Sequence, residues 1–157
     1  MTVKGPGGNY TGRPDELMMA VRAMAEALGR FDDAACEAFG VGRTDLRAMN
    51  LMENGPVTAG EIAARLGLTS GTVTVLIDRL VKHGYATRHP APGDRRKVLV
   101  QLEPATYAAF ARIYAPCGQA VAAAIVEMSD RQRSAACRAL TLITAEVTAQ
   151  ERNLRDR

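Results

Sequence analysis

Apolar residues recur three and four positions apart along most of this chain, and this spacing predicts a mainly α-helical protein. The first such stripe predicts a long helix that begins at Pro14 and runs to Gly40. At 1.5 Å per residue the helix is about 39 Å long, more than one small domain can cover, so we expect a partner helix against it. The apolar positions of the stripe are Leu17, Val21, Met24, Leu28, Phe31, Ala35 and Ala38.

Two short helices are predicted next. The first is capped by Thr44 and ends at residues 54–56, which are Asn-Gly-Pro. The second opens with Thr58 and Glu61, which have the spacing of a capping box, and ends at Gly67. The side chains of the first short helix that we expect in the core are Leu46, Met49 and Met52.

A helix with two different faces follows, from Thr69 or Ser70 to His83. Two helices joined by a short turn containing Gly form a helix-turn-helix, whose second helix enters the major groove of DNA. Similar helix pairs are common in all-α proteins that bind no DNA, so this pattern alone leaves both interpretations open. The apolar positions expected in the core are Val73, Leu76, Ile77 and Leu80.

Two strand-like segments come directly after this helix, residues 85–89 and 97–102. The tip between them contains Pro and Gly and the adjacent residues Arg95 and Arg96. A hairpin directly after a recognition helix is the arrangement of a winged helix. An Arg at the tip of the wing can enter the narrow minor groove beside the major-groove contact. The strand residues expected on one face are Val98, Val100 and Leu102.

The basic charge of the chain is concentrated in this region. From Asp78 to Lys97 there are six Lys or Arg and two Asp, a net charge of +4, whereas the whole chain has +3. Local rather than general basic charge is what phosphate binding requires.

The order of a capped helix, the segment LTSGTVTVLIDRLVKHGYATR, a Pro- and Gly-containing tip, Asp-Arg-Arg and KVLVQL resembles the MarR family of winged-helix transcriptional regulators. The resemblance implies a homodimer that binds a pseudo-palindromic site on double-stranded DNA. It also implies that Arg96 is the minor-groove Arg and that Asp94 orients it. The family commonly has an Arg or another polar residue where this chain has Val75. The predicted DNA-binding residues are Ser70, Gly71, Thr72, Thr74, Val75, Arg79, Lys82, Arg88, Asp94, Arg95 and Arg96.

The expected fold is mainly α with a small β-wing, a winged helix-turn-helix flanked by long dimerisation helices. A flexible arm is predicted for residues 1–13, which are rich in Gly and polar residues. An N-terminal dimerisation helix is expected in 14–42, the winged helix-turn-helix in 43–102, and C-terminal dimerisation helices in 103–157.

The C-terminal region contains two predicted helices. Pro104 opens a long Ala-rich helix in which Pro116 should produce a kink or a loosened turn. Ser129 and Gln132 have the capping-box spacing and open the last helix. The apolar stripe of the last helix is Ala136, Leu140, Ile143 and Val147.

Family resemblance also implies a repressor that is relieved by a small aromatic effector, bound between the dimer helices and the winged domain. Activation is known in the family as well, so the sign of regulation rests on the resemblance. The residues that would line such a cleft are Met24, Leu28, Phe31, Met49, Phe110 and Tyr114.

Other chemistries are less well supported by the sequence. Cys36, Cys117 and Cys137 lie within helical patterns without the spacing of a disulfide framework, which favours small buried side chains over the alternative of a redox-sensing regulator. His83 and His89 have no ligand cluster around them, so a metal-sensing repressor is a minor alternative; His83 is expected to cap the recognition helix.

The chain contains none of the common catalytic or phosphate-loop motifs, and we expect neither an enzyme nor a cofactor. No secretory signal is evident at the N-terminus. The most apolar stretch, residues 107–128, is interrupted by Arg112, Pro116 and Gln119. The expected location is the cytoplasm, without a membrane partner.

The wing is tested by two substitutions with opposite electrostatic expectations. Arg96→Ala should weaken binding to the specific site more than binding to random DNA, because minor-groove width depends on sequence. Asp94→Ala should reproduce part of this loss although it removes a negative charge. Both affinities are measured by fluorescence anisotropy at several salt concentrations. Tighter specific binding by Asp94→Ala than by the wild type would show that Asp94 does not orient Arg96.

Overall fold

The computed structural model describes the backbone of residues 3–5, 8–91 and 94–155, and the side chains of 11–91 and 97–154. The chain divides into two compact units, Met1–Ala109 and Phe110–Arg157. The predicted class is confirmed, since helices predominate and one small antiparallel sheet accompanies them. The helices are α1 (Pro14–Phe39), α2 (Arg43–Met52), α3 (Ala59–Leu66), α4 (Ser70–Lys82), α5 (Pro104–Val126) and α6 (Asp130–Arg155). The strands are β1 (Val3–Gly5), β2 (Gly8–Tyr10), β3 (Val57–Thr58), β4 (Ala86–Ala91) and β5 (Asp94–Leu102).

The core of the first unit is built from α2, α3, α4 and the sheet. The apolar positions predicted for α2 and α4 are all buried, as are Ile62 and Leu66 of α3. From the sheet, Ala86, Val100 and Leu102 are at most 2% exposed. Val98, predicted on the same strand face as Val100, is 47% exposed because it lies nearer the tip of the hairpin, beyond the edge of the core.

The helix boundaries of the helix-turn-helix agree with their sequence signals. In α3, Thr58 accepts a hydrogen bond from the Glu61 amide at 3.2 Å, while the Glu61 carboxylate accepts from the Thr58 amide at 2.7 Å. Gly67 ends α3 with a φ of 67°, in the left-handed region that favours Gly. The prediction that Thr44 caps α2 was wrong. Helix α2 begins at Arg43, and its cap residue is Gly42, which provides no side-chain hydrogen bond.

Three strands rather than two form the sheet of the wing, in the order β3-β5-β4. The central strand β5 pairs with β4 along the wing, and Val57 of β3 pairs with Val100 of β5. Sequence analysis did not predict β3, because a strand of two residues is too short to show the alternation that identifies strands.

The N-terminal segment differs from the flexible arm predicted for residues 1–13. Val3–Gly5 and Gly8–Tyr10 pair as a short antiparallel hairpin, with Val3 opposite Tyr10. The prediction gave more weight to the Gly content than to the strand-forming Val and Tyr residues. After the hairpin, the Thr11 amide and hydroxyl donate to the Glu16 carboxylate at 2.7 and 2.8 Å, which connects the segment to the first turn of α1.

Most of α1 is exposed in the single chain. Its bounds agree with the prediction, and Gly40 follows it with a φ of 66°. Only the C-terminal end is buried, at Ala35, Cys36 and Phe39. The large apolar residues of α1 that are exposed are Leu17, Met18, Met19, Met24 and Leu28.

The second unit contains most of α5 and all of α6. Helix α5 includes Pro116 without a break in the helical assignment. The predicted capping box of α6 is confirmed, because the Ser129 amide donates to Gln132 at 2.8 Å and the Gln132 amide donates to the Ser129 hydroxyl at 3.4 Å. Within the described residues, α5 alone is long and apolar enough to cross a membrane, a property shared by core helices of soluble proteins.

Removing the capping box should have a defined effect on stability. Thr58→Ala is expected to lower the free energy of unfolding by about 1 kcal/mol, measured by urea denaturation at neutral pH. Thr141→Ala is the control, because the Thr141 hydroxyl donates only to the Cys137 carbonyl within α6; its effect should stay within about 0.5 kcal/mol.

The effect of Thr58→Ala should also depend on pH. Hydrogen bonds from the Thr58 amide and hydroxyl lower the pKa of Glu61. A carboxyl with a lower pKa in the folded state stabilises at neutral pH, and this contribution is lost as the pH falls below the ordinary glutamate value of about 4.3. The two proteins should therefore become more alike in acid, and a difference that grows in acid would contradict this account.

Candidate nucleic-acid interface

The N-terminus of α4 is held by local hydrogen bonds. Thr69 caps the helix, accepting from the Thr72 amide at 3.3 Å, and its hydroxyl lies 2.9 Å from the Thr72 hydroxyl. The Thr74 hydroxyl donates to the Ser70 carbonyl at 3.0 Å. These bonds hold the short side chains of Thr69, Thr72 and Thr74 close to the surface of the helix.

The face of α4 opposite the core is exposed from its first residue. Ser70, Gly71, Thr72, Thr74 and Val75 are all exposed, and Val75 is 60% exposed. A Cβ atom built on Gly71 would meet no atom within 4 Å, so packing does not require the Gly at this position. This face therefore offers hydroxyl groups, a small backbone profile and one apolar side chain to a partner. A groove of about 480 Å³ runs along it, lined by Thr44, Leu68, Gly71, Thr72, Val75, Leu76 and Arg79.

Arg79 has a different environment from the one predicted. Its Nε donates to Asp45 Oδ2 at 2.9 Å and its Nη2 donates to Asp45 Oδ1 at 2.5 Å. The Asp45 side chain is 7% exposed and that of Arg79 is 47% exposed. Hydrogen bonding and charge attraction from Asp45 raise the pKa of Arg79. The guanidinium is turned toward α2, so a phosphate contact from Arg79 would have to be made by a side chain that already has an acidic partner.

Arg88 is also engaged within the protein. Its Nη2 lies 2.6 Å from Asp78 Oδ1, which connects β4 to α4. Both side chains keep substantial exposure, 38% for Arg88 and 57% for Asp78. The predicted DNA contact from Arg88 would therefore have to be made by a side chain that already has an acidic partner.

Lys82 and the wing complete the predicted interface. Lys82 is exposed near the end of α4, and no ion pair involves it within the described residues. Strand β5 begins at Asp94, whose backbone pairs with Ala91, and the register shifts between Pro90 and Ala91. The side chains of Asp94, Arg95 and Arg96 lie outside the described residues, so the orienting role given to Asp94 stays a prediction.

Comparison with known proteins assigns this segment to a family. Residues 39–97 match the MarR family model. Over 71 residues the chain is 46% identical to the uncharacterized HTH-type transcriptional regulator YcgE of Bacillus subtilis, covering 45% of this chain and 46% of that protein. Over 64 residues it is 36% identical to the uncharacterized HTH-type transcriptional regulator YkoM of the same organism, covering 40% and 42%. The winged helix-turn-helix segment of this chain is therefore similar to the MarR family. It spans less than half the length of these two curated relatives.

Solved structures share the fold of this chain. The structure of RV1404 from Mycobacterium tuberculosis has a TM-score of 0.67 and 20% identity, covering 88% of this chain and 97% of that one. A MarR family protein from Bacillus stearothermophilus has a TM-score of 0.64 and 22% identity, covering 85% and 94%. At these identities the likeness is one of fold.

His83 lies at the C-terminal end of α4, and His89 lies in β4. His83 Nδ1 lies 2.7 Å from the Arg79 carbonyl, so His83 caps the C-terminus of α4 as predicted. His89 Nε2 lies 3.1 Å from the side-chain nitrogen of Gln101 on the neighbouring strand. Within the residues that the structure describes, no group of three His, Cys, Asp or Glu residues could hold a metal ion.

The residues predicted to line an effector cleft have unequal burial. Met49 and Phe110 are at most 1% exposed in the single chain. Met24 and Leu28 are exposed, while Phe31 and Tyr114 are half-buried. Helical periodicity identified these positions as apolar, but it does not separate a core residue from one at the surface of a cleft.

The cysteines differ from the prediction of three buried side chains. Cys36 is buried, and burial raises the pKa of its thiol. Cys117 and Cys137 are exposed in the single chain. Their helical spacing predicted the helices correctly but did not show which helix face would be covered.

Asp45 is the residue of this interface that sequence analysis missed. It lies in the first turn of α2 and is 5% exposed. Thirty-four positions separate it from Arg79, so no local motif connects the two residues. A single Asp at the start of a helix is ordinary, because it interacts favourably with the positive end of the helix dipole.

Lys82 provides a direct test of phosphate contact. Lys82→Ala should weaken binding to specific and random DNA alike and reduce the slope of log affinity against log salt by about one unit. Arg22→Ala is the control, since Arg22 is an exposed cation on α1. An unchanged salt slope for Lys82→Ala, or an equal reduction for Arg22→Ala, would remove Lys82 from the interface.

Proposed function

We propose that this protein is a cytoplasmic transcriptional regulator that binds a pseudo-palindromic operator in double-stranded DNA as a homodimer. The observation that supports this most strongly is the division of α4 into two faces. Val73, Leu76, Ile77 and Leu80 are buried, while the face that begins with Ser70, Gly71 and Thr72 is open to solvent. A helix fixed on one side and lined with small hydroxyl residues on the other can approach base edges closely.

The side chains of this face suggest how the operator is read. The hydroxyl oxygens of Thr72 and Thr74 can accept hydrogen bonds from base amino groups, and the Val75 side chain can contact the methyl group of a thymine. Lys82 lies at the other end of α4, where a helix in the major groove approaches phosphate. The wing would place Arg95 and Arg96 near the adjacent minor groove. In this proposal α4 supplies base contacts, and the cations around it supply affinity that depends on salt.

Dimerisation is supported by the exposed apolar surface of the long helices. In α1, Leu17, Met18, Met19, Met24 and Leu28 are between 45% and 70% exposed. In the second unit, Val121, Ile125, Val126, Leu140, Leu142, Val147 and Leu154 are similarly exposed. Burial of apolar side chains away from water is favourable, so exposed large apolar residues within each unit favour a partner that covers them. A two-fold dimer covers such surfaces and places two recognition helices on one face of DNA.

The proposal includes repression that a small aromatic effector relieves. A dimer bound over a promoter excludes other proteins from it, and an effector lowers its affinity by favouring a second spacing of the recognition helices. Met24, Leu28 and Phe31 of α1 are members of the predicted cleft that retain exposed surface. A phenolic compound that binds there should raise the melting temperature and weaken operator binding in the same concentration range.

The test is selection of binding sites from fragmented genomic DNA, followed by gel shift and sedimentation. We expect enrichment of a two-fold symmetric sequence bound by two chains. Gly71→Asp should reduce operator affinity at least about tenfold, because it places a negative charge on the face directed at DNA. Gly29→Asp is the control: it makes the same change at a half-buried helical Gly of α1, where a Cβ meets only the end of Arg43 at 4.0 Å.

Two results would contradict the proposal. One is that no sequence is enriched above random DNA. The other is that Gly71→Asp and the wild type bind the enriched sequence equally well. A folded monomer at micromolar concentration, bound as a single chain, would contradict the homodimer alone.

A further inference from the structure

Two adjacent residues of α4 form ion pairs in opposite directions. Arg79 bonds to Asp45 of α2, and Asp78 bonds to Arg88 of β4. The recognition helix is thereby connected to the helix before it and to the first strand of the wing. Hydrophobic burial determines which side of α4 faces the core, but it has little directional preference. Ion pairs with hydrogen bonds restrict the remaining rotation and sliding.

The pair of Arg79 and Asp45 has the geometry of a positioning contact. Two nitrogens of one guanidinium meet the two oxygens of one carboxylate, and such a fork defines both distance and orientation. Asp45 is almost fully removed from water, so the loss of its partner would leave a buried charge. The alternative arrangement, in which Arg79 turns outward to a phosphate, is therefore unfavourable.

The pair of Asp78 and Arg88 is more exposed and correspondingly weaker. Its atoms are 2.6 Å apart, and both side chains remain in contact with solvent. It joins the middle of α4 to β4, so it constrains the angle between the recognition helix and the wing. Because Asp78 neutralises Arg88, the pair also deprives the DNA-binding face of a free positive charge. A role in positioning α4 explains why an Asp lies on a face that approaches DNA.

We propose that Asp45, Arg79, Asp78 and Arg88 are positioning residues, which set α4 relative to α2 and the wing and so determine operator specificity. This inference rests on the proposed function. Arg79 and Arg88 then contribute to DNA recognition through their acidic partners rather than through phosphate. Specificity should fall when either pair is broken, even when the net charge becomes more favourable for DNA.

Asp45→Asn and Arg79→Lys test the buried pair. Asp45→Asn removes a negative charge, which on electrostatic grounds alone should tighten binding to any DNA. If Asp45 is a positioning residue, we expect the opposite result. Asp45→Asn should bind the operator about tenfold more weakly, while its binding to random DNA is unchanged or stronger. Arg79→Lys keeps the charge but loses the bidentate fork. It should lower the ratio of operator to random affinity with an unchanged salt slope.

Asp33→Asn is the matched control for Asp45→Asn. Asp33 forms a similar two-point pair with Arg43, at 2.7 Å from Nε and 2.6 Å from Nη2. That pair joins α1 to α2, and its side chains are more than half exposed. Asp33→Asn removes the same charge and should leave operator specificity unchanged.

The exposed pair provides a test that does not depend on the stability of the buried one. Asp78→Arg and Arg88→Asp should each lower the ratio of operator to random affinity, and the double variant with the charges exchanged should recover much of it. Melting temperatures are measured for every variant. If Asp45→Asn unfolds at the assay temperature, Arg79→Lys and the exchanged pair decide the question.

The inference and the proposed function fail in different ways. If the wild type shows no operator preference, the proposed function fails. If the wild type is specific and Asp45→Asn behaves as Asp33→Asn does, the positioning role is wrong. A lower salt slope in Arg79→Lys would also overturn it, because that would mean that Arg79 contacts phosphate. Failure of the exchanged pair to recover specificity would remove Asp78 and Arg88 from the proposal.

Discussion

Burial of one side of α4 is the constraint on which the rest of the winged helix depends. Val73, Leu76, Ile77 and Leu80 are each at most 2% exposed, in contacts of α4 with α3 and β4. Each fully buried aliphatic side chain contributes about 1.5–3 kcal/mol, so a rotation of α4 that exposed them would cost a large part of the stability of a small domain. The opposite face must then remain in water, and its small residues leave the helix backbone accessible. Burial of one side of α4 thus both stabilises the fold and leaves the opposite side of the helix accessible.

Polar contacts add direction to this apolar framework. The Asp45–Arg79 pair joins α2 to α4, while the Tyr85 hydroxyl donates to the Phe39 carbonyl and the Tyr107 hydroxyl donates to the Met52 carbonyl at 3.0 Å. Each bond connects segments that are far apart in sequence. A buried ion pair is weak evidence for net stability, because desolvation offsets much of the attraction. Its directional geometry is the better explanation for an Arg of α4 whose guanidinium is turned toward α2.

Local signals in the sequence were sufficient for most of the winged helix. The capping box of Thr58 and Glu61 and the apolar spacing of α4 depend on residues within a few positions, and both were predicted correctly. The misses have a different physical origin. Strand β3 is too short for a periodic pattern, and the Asp45–Arg79 pair depends on tertiary packing. Burial of Met49 and exposure of Cys117 depend on which helix faces are covered, which periodicity does not reveal.

The central claim is that α4 lies in the major groove of an operator with the wing beside it, once in each half of a dimer. Guanine methylation protection combined with hydroxyl-radical footprinting on the selected operator tests this most directly. The account predicts two major-groove patches related by two-fold symmetry, with centres about 34–36 Å apart or a multiple of that distance. Backbone protection should extend into the minor groove beside each patch. A single asymmetric patch, or protection of backbone without any major-groove guanine, would contradict the account.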